Sequence, residues 1–148
     1  MIAVGGNSRK AGKTSVICAL IRALPDAAWT AIKITPHAHS GSAGGDTARF
    51  LAAGARKAMV LSAVPPEWPE GNVIVESGSA ENAGLRLLVL DTTTAEFKLS
   101  ALAMLPRADA FIVTRGEWDG RGRPVFYAPP PSFECADLAA FVRERMEG

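Results

Sequence analysis

Short apolar runs recur along the chain, with helical patterns between them: Ile2 to Val4, Trp29 to Ile34, Ala58 to Ala63, Val73 to Val75, Leu85 to Leu90 and Ala110 to Val113. They are rich in Val, Ile and Leu and do not alternate with polar residues. That is the pattern of strands buried on both faces, as in a parallel sheet covered by helices. The intervening periodicity predicts helices over Lys13 to Leu24, stopped by Pro25, and over Thr47 to Ala53, ended by Gly54. Two more are predicted over Lys98 to Leu105, stopped by Pro106, and over Asp137 to Met146. Two stretches read as irregular: His37 to Gly45, rich in Ser, Ala and Gly, and Gly116 to Pro131, with a triple proline at its end. The expectation is a layered α/β fold with a mainly parallel sheet flanked by helices.

Composition narrows this picture little. At 148 residues the chain fits one domain, residues 1–148, able to bury a core without disulfide or metal support. With 16 basic against 15 acidic side chains, no broad field points to a nucleic acid or a membrane surface as partner. Cys18 and Cys135 lie far apart in sequence, make no CxxC, and read as reduced thiols. Met1 leads directly into a short apolar segment with no basic leader, and every apolar run stays below the roughly 18 residues needed to span a bilayer. A cytoplasmic protein is the expectation.

The sharpest chemical signal follows the first apolar run. Gly5-Gly6 ends it, Asn7-Ser8-Arg9-Lys10-Ala11-Gly12-Lys13-Thr14-Ser15 comes next, and a helix begins at once. Strand, loop and helix in this order are the setting of a Walker A motif, and they specify a three-layer P-loop NTPase fold. Loop N–H groups and the helix N-terminus surround phosphate oxygens. Lys13 reaches the β- and γ-phosphates, and Thr14 places its hydroxyl on Mg²⁺. The loop residues of the cofactor-binding set are therefore Asn7, Ser8, Arg9, Lys10, Ala11, Gly12, Lys13, Thr14 and Ser15, and Lys33 completes the set. The motif departs from GxxxxGK[ST] at Asn7. Asn tolerates positive φ better than other non-glycine residues, and Gly5 and Gly6 can absorb a tight turn, so the loop reads as a variant. Arg9 and Lys10 either help to hold phosphate or face solvent.

The next segments resemble the MobB family, GTP-binding adaptors of molybdopterin-guanine dinucleotide biosynthesis. The resemblance is carried by Ala31-Ile32-Lys33-Ile34-Thr35-Pro36-His37-Ala38-His39, then Gly45-Asp46-Thr47-Ala48-Arg49 and Ala52-Ala53-Gly54-Ala55. In that family a strand ends in a lysine before a histidine cluster, and a later Gly-Lys-Asp-Ser segment opens a helix that closes on Ala-Gly-Ala. Val73-Ile74-Val75-Glu76-Ser77-Gly78 is similar to the family's Val-Glu-Gly strand end, with Ser77 inserted. An apolar strand ending in a carboxylate also suits a Walker B acid, which orients water on Mg²⁺ beside the loop.

The resemblance implies binding of GTP or ATP with Mg²⁺, slow hydrolysis, a nucleotidyltransferase-like protein partner and a homodimer. Lys13, Glu76 and Asp46 are the catalytic candidates, and Thr14, Glu76 and Asp46 the metal candidates. Asp91, closing Leu87-Leu88-Val89-Leu90, competes with Glu76, or else caps the turn into Thr92-Thr93-Thr94. Asp46 either approaches the metal or is a plain N-cap. Lys33 either contacts an anionic ligand or is solvated, and His37 and His39 either bind metal or substrate or lie on the surface. Arg9 and Arg115 are candidate donors to transferring phosphate. Thr114-Arg115-Gly116-Glu117 stands where guanine-specific proteins often carry Asn-Lys-x-Asp, which leaves GTP against ATP open. A small-molecule kinase or dethiobiotin-synthetase-like ligase, with a second substrate near Lys33, His37 and His39, is one alternative. A nucleotide sensor that does not hydrolyse is another.

Overall fold

In a computed structural model of the chain, residues 1–36, 44–77 and 82–147 are described. Among them the strands are β1 (Ile2–Gly6), β2 (Thr30–Ile34), β3 (Lys57–Leu61), β4 (Val73–Glu76), β5 (Leu85–Asp91), β6 (Ala110–Arg115) and β7 (Val125–Tyr127). They form one seven-stranded sheet in the order β3-β2-β4-β1-β5-β6-β7. Every pairing is parallel. The helices are α1 (Lys13–Ala23), α2 (Gly44–Ala53), α3 (Leu99–Met104) and α4 (Ala136–Glu147). The expected α/β architecture is thus the one the chain adopts, in a form consistent with a three-layer P-loop NTPase fold.

Alternate residues of the central strands serve two different cores, which is why the runs carry no polar alternation. Ile2, Val4, Leu87, Val89 and Ile112 pack with α1, Phe50 and Ala53 of α2, and Leu138 and Val142 of α4. Their neighbours Ala3, Leu88, Leu90 and Phe111 pack on the other face against Ala101 and Met104 of α3. Fully burying a side chain of the Ile or Leu kind is worth about 1.5–3 kcal/mol, so the two cores jointly fix the register of β1 and β5. Among the described residues, no helix is long and apolar enough to cross a membrane.

The structure departs from the predicted elements in two places. A short strand, β7, lies inside Gly116 to Pro131, which had read as irregular. It pairs Phe111 with Val125 and Val113 with Tyr127. Three residues between Pro124 and Pro129 are too few for a periodicity, and at a sheet edge such prolines are tolerated. Helix α2 begins at Gly44, three residues before the expected Thr47. Asp46 therefore stands in the first turn, where the helix dipole favours a carboxylate, and it is not an N-cap. His37 and His39 lie outside the described residues.

Because the sheet is parallel, Gly6, Ile34, Glu76 and Asp91 all end strands at one edge. The chain builds outward from β1 on one side through β2 and β3, and on the other through β5 to β7. The crevice of such a sheet falls at the carboxyl ends of the strands where this reversal occurs, here β1 and β4.

Asn7, the first residue of the loop after β1, holds two of these strand ends together. Its side-chain amide donates to the carbonyls of Asp91 (2.9 Å) and Glu96 (3.1 Å) and accepts from the Asp91 N–H (2.9 Å). It is 1% exposed. The expected role for Asn7, supplying a positive φ, is corrected, since it is not among the positive-φ residues. Asparagine is there for a donor and an acceptor that together clamp β5 to the loop. Replacing it by the glycine of the ordinary motif strands buried backbone groups at about 1–3 kcal/mol each. Asn7→Gly is therefore expected to lower the thermal midpoint by several degrees, measured by circular dichroism. An unchanged midpoint would remove the clamp from this account.

Candidate functional site

The loop from Gly5 to Thr14 is shaped by what its side chains avoid as much as by what they bond. Ser8 and Ala11 are buried, whereas Arg9 and Lys10 are exposed. Gly12 is left-handed (φ 101°, ψ 22°), a conformation that favours glycine. A Cβ on Gly12 would also come within 2.9 Å of the Phe133 ring and 3.3 Å of the Thr114 methyl. The Thr114 hydroxyl, from β6, donates to the Ala11 carbonyl at 2.5 Å. At Gly6 a Cβ would lie 2.8 Å from Cγ and Cδ of Lys13, because the lysine stem crosses directly over it. Helix α1 has no side-chain cap and no acid in its first turn. Its leading N–H groups and positive dipole end are therefore left without a built-in anionic partner.

Beside the loop, strand pairing assembles a polar cluster. Glu76 ends β4 between β1 and β2, its Cα in register with Val4 on one side and Lys33 on the other. Its carboxylate, 4% exposed, accepts a short hydrogen bond from the Thr14 hydroxyl through Oε1. Lys33 Nζ stands 3.4 Å from Oε2 and also pairs with Oδ2 of Asp46. From the next turn of α2, Arg49 donates to the Ser15 hydroxyl at 2.9 Å. Thr14, Lys33, Asp46 and Glu76 are thus brought together, and Lys13 lies alongside.

The two lysines titrate in opposite directions. Burial pushes Lys13 below the ordinary lysine value; Glu76 opposes this, while Lys98 and Lys33 add to it. For Lys33, burial also works downward, but the Asp46 hydrogen bond and the Glu76 charge outweigh it and hold the group above its ordinary value. The Lys33 pairing therefore contributes fully below the ordinary lysine pKa and is lost as pH rises through the higher folded value.

Asp91 is not part of the cluster: its carboxylate accepts from the N–H (2.9 Å) and hydroxyl (2.5 Å) of Thr93, as the cap of a turn. Arg115 lies exposed at the end of β6 and does not line the cavity. Sequence reasoning did not single out Lys98, Arg49, Thr114 or Phe133 for this site. Lys98 sits at the N-cap of α3, with its N–H bonded to the Asn7 carbonyl (2.9 Å). No local pattern marks a residue brought in by so distant a contact. Phe133 follows the triple proline that ends the stretch read as irregular, which gave no signal for this site.

Lys13, Thr14, Lys33, Asp46, Glu76 and Phe133 border a cavity of about 950 Å³. Six basic side chains, Arg9, Lys10, Lys13, Lys33, Arg49 and Lys98, face it against three acidic ones, Asp46, Glu76 and Glu96. The excess of positive charge suits a polyanion. A separate, mainly apolar cavity of about 310 Å³ lies between α1 and the start of α4 and lacks such a cluster. The metal candidates offer only oxygen: the Thr14 hydroxyl and the Glu76 and Asp46 carboxylates. That donor set fits a hard cation such as Mg²⁺, which usually takes one or two carboxylates plus ligand phosphates and waters. Among the described residues no group of three or more His, Cys, Asp or Glu could hold a metal by itself.

In a lysine-resolved NMR titration, Lys13 is expected to deprotonate below the exposed lysines and Lys33 above them. Glu76→Gln should lower Lys13 further, since Glu76 opposes its shift; a rise in Lys13 would contradict the arrangement. Compared with protein-family models, with curated proteins and with solved structures, the chain matches none.

Proposed function

We propose that the chain is a nucleotide-binding protein that takes GTP or ATP with Mg²⁺ at the loop from Asn7 to Ser15 and hydrolyses it slowly. One observation carries this reading. A glycine-shaped loop delivers an uncapped helix N-terminus, Lys13 and Thr14 to one point, and Thr14 is bonded there to the buried acid that ends the adjacent parallel strand. Lys13 binds the terminal phosphoryl oxygens, and the loop amides bind those nearer the ribose. The Thr14 hydroxyl and Glu76 hold the ion, with Asp46 within reach. When bound, Mg²⁺ neutralises charge that develops on the phosphoryl oxygens. Catalysis by the chain itself is electrostatic, through Lys13 and the amides. Arg9 and Arg49, which both border the cavity, are the arginines able to add to it.

The resemblance to MobB supports a role beside a nucleotidyltransferase in molybdenum cofactor biosynthesis, with GTP as the nucleotide. A second reading, a small-molecule kinase or ligase, draws on the extension of the cavity past Lys33 to Thr35 and Pro36, which leaves room beside the phosphate end for another substrate.

Calorimetric titration with GTP and ATP analogues in Mg²⁺ tests the reading. Lys13→Ala is expected to weaken binding roughly 10- to 100-fold, the worth of a charge-assisted hydrogen bond. Glu76→Gln should keep nucleotide binding but lose most of its dependence on Mg²⁺. Equal affinity of wild type and Lys13→Ala would contradict the phosphate site.

A further inference from the structure

The cluster beside the loop contains a positive charge where a metal ion is expected to sit. Lys33 is paired with Asp46 and stands 3.4 Å from Oε2 of Glu76, so one ammonium serves both candidate metal carboxylates. A Mg²⁺ ion binds a carboxylate oxygen at about 2.1 Å. On Oε2 it would therefore lie within roughly 5.5 Å of Lys33 Nζ, well inside the screening length of physiological salt. Ion and ammonium cannot share these oxygens cheaply.

The backbone of Lys33 cannot yield to such an ion. Within β2 it is paired with Val60 on one side and Glu76 on the other, in the interior of a seven-stranded sheet. Its side chain can move, since four methylenes separate the charge from the strand and the group opens onto the cavity. The energetics thus turn on what else is in the cavity. Without a ligand, the two carboxylates face Lys33 with Lys13 alongside, so little net negative charge is left to attract a dication. With a polyphosphate on the loop, Lys33 gains new anionic partners and the ion gains phosphate oxygens, so both costs fall together.

Resting on the proposed nucleotide site, we propose that Lys33 is the residue that makes divalent-cation binding conditional on nucleotide. Its ammonium occupies the carboxylates of Asp46 and Glu76 until a polyphosphate draws it away, and the ion then takes the oxygens it leaves. The order is polyanion first, cation with it or after it. Lys33 acts here as a specificity-determining residue that prevents futile capture of metal by the free protein.

The test is titration of the full chain with Mn²⁺, followed by electron paramagnetic resonance of the free ion. It is done with and without non-hydrolysable GTP and ATP analogues, on wild type, Lys33→Met, Lys33→Gln and Lys33→Arg. Without nucleotide, the neutral variants are expected to bind Mn²⁺ at least tenfold more tightly than wild type and Lys33→Arg. Mn²⁺ should raise the thermal midpoint of the neutral variants alone, by restoring a partner to buried Glu76. With an analogue present, wild type should gain a saturable Mn²⁺ site. Should wild type bind Mn²⁺ without nucleotide as tightly as with it, the inference is overturned whether or not the variants fold, while the nucleotide site stands. Neutral variants that fold but match wild type in Mn²⁺ affinity overturn it equally. Failure of wild type to bind either analogue, even with Mn²⁺, removes the nucleotide reading and this inference with it.

Discussion

A buried carboxylate must be paired, and the site is organised around meeting that demand at Glu76. The residue ends β4, the strand held between β1 and β2, where it is almost wholly buried at the edge of the cavity. Leaving one partner of such a group unpaired costs several kcal/mol, so its surroundings are set by it. The Thr14 hydroxyl answers from the loop and Lys33 from β2. Each partner belongs to a different element, and the acid therefore fixes the loop, the start of α1 and the end of β2 relative to one another.

The loop itself is held from behind by Asn7 and Thr114, which do not line the cavity, and from its rim by Phe133. Asn7 clamps it to β5, Thr114 anchors the Ala11 carbonyl from β6, and Gly12 lets the chain turn left-handed under the Phe133 ring. These contacts keep Lys13 stretched over Gly6. They keep the ammonium buried, which is the main reason Lys13 sits below its ordinary pKa, and they hold it near Lys98 and Lys33, which lower it further. Gathering like charges in this way is costly, and a polyanion bound at the proposed phosphate site would offset that cost.

Much of this was legible in the sequence, for physical reasons. Strands buried on both faces leave unbroken apolar runs, so β1, β2, β4, β5 and β6 could be read directly. Helices α1, α3 and α4 carry their own stop or start signals. What failed depends on distance in sequence. The role of Asn7 was sought in its own φ and lies instead in partners more than 80 positions away. Lys33 looked like either a solvated or a ligand-binding lysine, whereas the strand register pairs it with Glu76. The choice between Glu76 and Asp91 could be framed from sequence but not decided, because both end apolar strands. Only the sheet order, which sets β4 on one side of β1 and β5 on the other, sends Glu76 to Thr14 and leaves Asp91 to cap its own turn. Strand β7 escaped because three residues between prolines have no period.

The central claim is that the loop after β1 receives phosphate, and backbone amide NMR tests it most directly. On titration with Mg²⁺ and GTP or ATP, the account expects the largest amide shifts at Ser8 to Ser15, with smaller ones at Lys33 and Glu76. Shifts that leave this loop untouched and cluster instead between α1 and the start of α4 would contradict it.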